Sequence, residues 1–377
     1  MPPLPPTPTL PISYLSHLFD NMSECYKLFW FKAILDNVCE GKEQLSFEEL
    51  IDCMIADVWY MVTEYRLNLG PSDTLEALVK SVYQKSGLKS SEKRERIIAW
   101  LHEGEDAELL RIKKTLTNQV PFRLQAPFMT SLKGREWEIS RKKLAERINK
   151  EERLLYYFVD ISGLESKIAV TPEWLDYLRT NQVILRGWIQ YHIIQYLQKR
   201  NPSVPGIVNK ISPPQVRKLE RVAKYWKAVI SCGDIHEIYG DCRMTEEQLS
   251  IDHFIPWSYV AHDELWNLHP TTRSINSSKS NHLPDWDSYF SKLCAVEYQA
   301  YEATWTYEGV HKEFDKCLKE HVNNEDVRVK LYRQGLTRPE FAENLKGIMW
   351  PVYQSAKELG FENWLLSPTP KPNEVHQ

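Results

Sequence analysis

Between residues 250 and 284 the polar side chains are of the kinds, and at the spacings, that can cut a phosphodiester. Asp252 and His253 are adjacent, Asn267 lies fourteen residues after His253, Asn276 nine after Asn267, and Lys279 three after that. Hydrolysis of a phosphodiester needs a water, a base to take its proton, and positive charge on the phosphate and the leaving oxygen. A neutral imidazole, with an ordinary pKa of about 6.5, is matched to the first task. A hard divalent ion on oxygen ligands is matched to the second. His253 is therefore read as the base, and Asp252 with the side-chain oxygen of Asn276 as metal ligands. The amide of Asn267 can fix the loop after His253 and the imidazole ring itself. Lys279 can reach a phosphate oxygen as a point charge.

These side chains need elements to hold them. Leu249 and Ile251 alternate with polar neighbours, which predicts a short strand ending at Asp252 and His253. Leu265–Leu268 predicts a second strand, and Ser274 is placed to cap a helix that carries Asn276 and Lys279 on one face. The expectation is a ββα unit.

At these residues the sequence resembles the HNH, or ββα-metal, endonuclease family. The resemblance rests on Asp252-His253-Phe254-Ile255-Pro256, on Asn267, and on Asn276 with Lys279 behind it. Both spacings are similar to those of the HNH nicking domain of CRISPR effector nucleases. The resemblance implies metal-dependent hydrolysis of DNA, with RNA as the alternative substrate, leaving 5′-phosphate and 3′-hydroxyl ends. Asn rather than His in the last position favours Mg²⁺ or Mn²⁺ over zinc. One such site cuts one strand, so a double-strand break would need two, as in a homodimer. Many family members add two CxxC pairs around the unit. Here Val229 stands where a partner of Cys232 would be, and residues 271–276 contain no cysteine, so structural zinc is not expected. The region from Tyr26 to Gly206 resembles bacterial stand-alone HNH proteins more loosely, which implies a restriction or phage-defence setting. The rival readings are a helical interaction protein with a non-cleaving ββα unit, and a toxin nuclease with a cognate inhibitor. An activating or inhibitory protein partner fits either.

Around the motif, His269 is the reserve candidate for ligand or acid, with His236, His262 and His282 as loop residues. Asp263 and Glu264 read as solvated loop acids. Upstream, residues 209–230 carry Lys210, Arg217, Lys218, Arg221, Lys224 and Lys227 against Glu220 alone. Arg217, Arg221 and Lys224 recur at helical steps, so Arg217, Lys218, Arg221, Lys224 and Lys279 are the expected nucleic-acid contacts.

The remainder of the chain supplies the scaffold. Its 377 residues, 42% hydrophobic and 26% charged with a net charge of −4, describe a folded protein without a general basic coat. Seven cysteines in no CxxC pair, no secretory leader and no apolar run of membrane length give a cytoplasmic, reduced setting and no membrane partner. The expected fold is mainly α with an embedded small α+β unit. A flexible Pro-rich arm (1–12) leads to a helical module (13–128) and a mixed connector (129–206). The nuclease domain (207–300), C-terminal helices (301–366) and a flexible tail (367–377) follow. Within the helical module, Ser46 and Glu49 form a capping box in sequence, and Asp73 and Gly87 bracket another helix.

Overall fold

The computed structural model describes residues 4–367 apart from 21, 105, 130, 131, 133 and 214–216. The chain is mainly helical, with small sheets, and forms two compact units: residues 1–202 with 207–214, and residues 203–206 with 215–377.

The first unit centres on the helices Tyr26–Cys39 and Phe47–Thr63. In the second of these, Leu50, Ile51, Met54, Ile55, Val58, Trp59 and Val62 are all buried, as their three- and four-residue spacing requires. Its first turn is closed by the capping box. Ser46 Oγ accepts from the Glu49 amide at 3.1 Å, and Glu49 Oε2 accepts from the Ser46 amide at 2.9 Å. The Thr74–Ser86 helix starts behind Asp73, whose side chain accepts from the Glu76 amide, and stops at Gly87 with φ at +66°, where a Cβ would be strained. Residues 12–38 do not form one continuous helix. They divide into Ile12–Ser16 and Tyr26–Cys39. At the end of the first helix Ser16 Oγ donates to the Ser13 carbonyl, and just beyond it His17 pairs with Asp20, local bonds that compete with the helical ladder.

A three-stranded antiparallel sheet ties this unit together. Strands β1 (Gln44–Ser46), β2 (Tyr156–Asp160) and β3 (Lys167–Val170) lie in the order β1-β3-β2. Because β1 pairs with β3, backbone groups on either side of residue 128 satisfy one another, and the separation expected between module and connector is absent. The N-terminal arm is also anchored. Leu4 is buried and the Tyr177 hydroxyl donates to the Pro5 carbonyl at 2.8 Å. Proline lacks a donor but keeps its acceptor, so residues 4–11 pack against the unit instead of forming a free arm. The expected flexible tail falls, beyond Ser367, outside the described residues. Trp30, Trp59 and Trp188 are buried, while Trp100 and Trp305 are half-buried.

The second unit has one apolar core, with Trp226, Phe254, Leu268, Leu293, Phe314 and Met349 among its members. It is enclosed by the helices Glu220–Cys232, Trp286–Thr306, Glu308–His321 and Arg338–Glu358, with strands β4 (Leu249–His253) and β5 (Leu268–Thr272) between them. The boundary expected at residue 300 falls inside the Trp286–Thr306 helix, so the nuclease segment and the C-terminal helices share this core. The Trp286–Thr306 helix ends before Tyr307, whose extended backbone is the N-cap of the Glu308–His321 helix. Short parallel strands β6 (Leu283–Pro284) and β7 (Asn363–Trp364) join the stretch after the motif to the end of the described chain. No helix among the described residues is long and apolar enough to cross a membrane.

Candidate active site

The motif residues meet on β4, β5 and the helix that follows. In the antiparallel pair, Asp252 stands opposite His269 and His253 opposite Leu268. The second strand runs over 268–272, later than the 265–268 read from the sequence. Residues Leu265–Asn267 form a 3-10 turn, which places Asn267 at the entry to β5. The Arg273–Lys279 helix is capped by Thr272, which accepts from the Ile275 amide, and not by Ser274. An N-cap needs extended backbone, and the last residue of a strand already has it.

Asp252 is buried and its two oxygens are held by three side chains. Lys279 Nζ lies 3.0 Å from Oδ1, the Tyr239 hydroxyl donates to Oδ2 at 2.8 Å, and His269 Nε2 is 3.4 Å from Oδ2. Burial alone would raise this carboxyl. The Lys279 ammonium and His269 outweigh it and hold Asp252 well below the usual carboxylate range. Asn276 Nδ2 donates to Ser250 Oγ and to the Ile251 carbonyl, both at 3.0 Å. The amide orientation is thereby fixed, with no hydrogen bond to Oδ1 among the described residues. Asn267 clamps the loop after His253: Oδ1 accepts from the Ile255 amide at 2.7 Å and Nδ2 donates to the Ile255 carbonyl at 2.8 Å. Residues 236–285 match the family model described as HNH endonuclease. This segment is an HNH endonuclease domain. No curated protein and no solved structure matches the chain significantly.

Several assignments within the HNH domain need correction. Asn267 holds the loop but does not touch the His253 ring. That ring is held by Asp263, whose Oδ1 lies 2.8 Å from Nε2, so Asp263 is not the solvated acid that its loop position implies. Glu264 is not free either, since it accepts from Asn323 Nδ2 at 2.7 Å. Burial draws the His253 imidazole below its usual pKa, against the opposing pull of Asp263. Lys279 cannot serve as an exposed phosphate contact. It is 1% exposed, and its ammonium is committed to Asp252 and, at 2.7 Å, to the His253 carbonyl. His269 is fully buried behind Asp252.

The basic stripe is also rearranged. The helix begins only at Glu220, so Arg217 and Lys218 precede it. Arg217 turns into the site, its guanidinium 5.8 Å from the Trp257 ring centre and Nη1 3.5 Å from His253 Nδ1. Arg221 pairs with Glu320 at 3.3 Å, while Lys218 and Lys224 stay exposed. Lys210 is fully buried, and burial pushes its ammonium down to about 7, so it belongs to no exposed track.

Sequence reasoning missed Tyr239 and His321, which come from segments outside the motif. The His321 Nδ1 lies 2.7 Å from the Asp263 carbonyl. It missed Glu237 as well, whose carboxylate accepts from the Tyr239 amide at 2.9 Å and from the Gly240 amide, shaping the turn that delivers Tyr239. A Cβ on Gly240 would lie 2.9 Å from Glu237 Oε1, so a side chain there would push on the carboxylate that shapes this turn. For Asp263 one signal was available: it is an acid in the loop that joins the two strands.

The family implies a divalent cation. Asp252, kept ionised, and Asn276, with its amide nitrogen tied back, offer one carboxylate and one amide oxygen. Among the described residues no group of three or more His, Cys, Asp or Glu could cage a metal. Two hard oxygens fit a Mg²⁺-like ion that keeps most of its waters and shares substrate phosphate. Cys232 and Cys242 are exposed free thiols.

Proposed function

We propose that the chain is a metal-dependent endonuclease that hydrolyses DNA, with His253 as base and Asp252 and Asn276 as the metal-holding pair. The observation that carries this reading is the placement of Asp252, His253 and Asn276 together on β4 and the Arg273–Lys279 helix, with the His253 ring held by a carboxylate. When bound, the divalent ion supplies positive charge to the phosphate and the leaving oxygen. His253 takes a proton from the attacking water through a ring nitrogen, and the depressed pKa keeps the imidazole neutral and able to accept it at neutral pH. Asn267 keeps the Phe254–Ile255 backbone in place, so the base does not drift as substrate enters. Lys279 keeps Asp252 ionised in a buried setting. Arg217, beside the ring, with exposed Lys218 and Lys224 farther out, are the cations that meet the phosphate backbone.

DNA, a single cut per site and a 3′-hydroxyl product follow from the family resemblance, as does a role in restriction or phage defence. The experiment is nicking of supercoiled plasmid in Mg²⁺ or Mn²⁺ by the wild type and by His253→Ala. Nicking by the wild type alone, abolished by chelator and lost by at least about 100-fold in the variant, is expected. Tight plasmid binding without cleavage in either ion would favour the non-cleaving interaction protein.

A further inference from the structure

A carboxylate on the catalytic imidazole, outside the metal-holding pair, raises the question of which ring nitrogen does the chemistry. His253 is 2% exposed and both of its nitrogens have neighbours. Nε2 lies 2.8 Å from Asp263 Oδ1, an atom that only accepts, so this nitrogen carries the hydrogen. Nδ1 lies 3.5 Å from Arg217 Nη1, a group that only donates, so this nitrogen presents its lone pair. The two contacts, from opposite sides of the ring, select the same tautomer.

Asp263 is itself held. Its carbonyl lies 2.7 Å from Nδ1 of His321, which is buried at the end of the Glu308–His321 helix. The neighbouring Glu264 accepts from the side chain and the backbone of Asn323. The loop is therefore pinned at two successive residues by the segment that ends this helix. Desolvation would raise the Asp263 carboxyl, yet the hydrogen bond from His253 and the nearby positive charges keep it below its usual value, so it stays an anion facing the ring.

We propose that Asp263 is the positioning residue of the base: it binds Nε2–H of His253, fixes that tautomer, stabilises the imidazolium formed as water is deprotonated, and assigns proton uptake to Nδ1. The balance is simple. The water O–H breaks, its proton goes to Nδ1, and the positive charge that results on the ring is matched by the Asp263 carboxylate, which stays unprotonated. Arg217, now facing Nδ1, lies on the side where water and phosphate must arrive, so substrate phosphate takes over its guanidinium and uncovers the nitrogen. The end of the Glu308–His321 helix and the residues just after it thereby act on the site through His321 and Asn323.

This proposal rests on the nuclease reading, and its test separates the two. Long-range ¹⁵N–¹H correlation of histidine-labelled full-length protein, without substrate, reads the tautomer directly. The expected wild-type result is a neutral His253 ring protonated at Nε2, with that proton shifted downfield by its carboxylate partner. In Asp263→Ala the preference for Nε2–H is expected to fall to a mixture. Plasmid nicking by this variant should lose about 10–100-fold in kcat with KM changed less than about twofold. Asp263→Asn, which can still accept from Nε2–H, should fall between the two. A wild-type ring protonated at Nδ1 overturns the proposal with no variant needed. So does an Asp263→Ala protein that keeps its Nε2–H tautomer and its kcat. Wild-type protein that shows the expected tautomer but never nicks defeats the nuclease reading alone.

Discussion

Lys279 shows how much a single buried side chain can be committed. Its ammonium lies between the Asp252 carboxylate and the His253 carbonyl, and burial lowers its own pKa while Asp252 raises it. Replacing it with Met leaves the volume roughly unchanged but strands a buried carboxylate with only the Tyr239 hydroxyl and the His269 imidazole beside it. Breaking a buried pair on one side costs about 3–5 kcal/mol, so Lys279→Met is expected to lower the thermal midpoint by many degrees, read by calorimetry. A lysine whose only task was to touch phosphate would leave the midpoint unchanged. At this scale the sequence announced the residue types well. Asp252, His253, Asn267 and Asn276 sit within one short stretch whose spacing is set by strand, turn and helix geometry. Tyr239, Asp263 and His321 were not legible as partners, because their contacts depend on how the turn before β4, the β4–β5 loop and a C-terminal helix pack together.

Local rules read best where an element carries its own signals. Ser46 with Glu49, and Asp73 with Gly87, delimit helices because caps satisfy backbone groups within three or four residues, a range that the sequence displays directly. Ser46→Ala removes the acceptor for the Glu49 amide and is expected to cost about 1 kcal/mol, measured by urea titration. The change lies in the first unit, whereas β4 and β5 belong to the second, so nicking at room temperature should stay at the wild-type rate. Legibility failed where an element depends on a distant partner. Gln44–Ser46 is too short to be read as a strand by itself and becomes one only against Lys167–Val170. Asn267 likewise reads as a strand residue until the 3-10 turn that it ends is seen.

Across the whole second unit, stability carries a pH signature from a residue remote from the motif. Glu297 is buried in the core, and its Oε1 has no hydrogen-bond partner among the described residues. Tyr225, Tyr301, Thr304 and Tyr332 line the small cavity beside it. Burial raises its carboxyl well above the usual value, so the folded chain holds this proton more tightly than the unfolded chain. The associated stability is fully present below the unfolded carboxyl range, about 4.3, and is lost as pH rises toward the folded value. Glu297→Gln keeps the shape and removes the titration. Thermal midpoints from pH 5 to 8 should therefore decline less for the variant than for the wild type. Parallel curves would mean that Glu297 is ionised in the fold. Division into two units is the part of the architecture that composition and helical period leave open, since both units are built of similar amphipathic helices.

Vectorial synthesis gives the Asp263–His321 contact one more consequence. A chain emerging from the ribosome releases β4 and β5 long before residues 308–323 and the β7 strand that pairs with β6. Until those later residues arrive, the loop bearing Asp263 lacks its clamp and the imidazole lacks a fixed orientation. On the proposed reading, a base with its orientation fixed would be complete only once almost the entire described polypeptide is free.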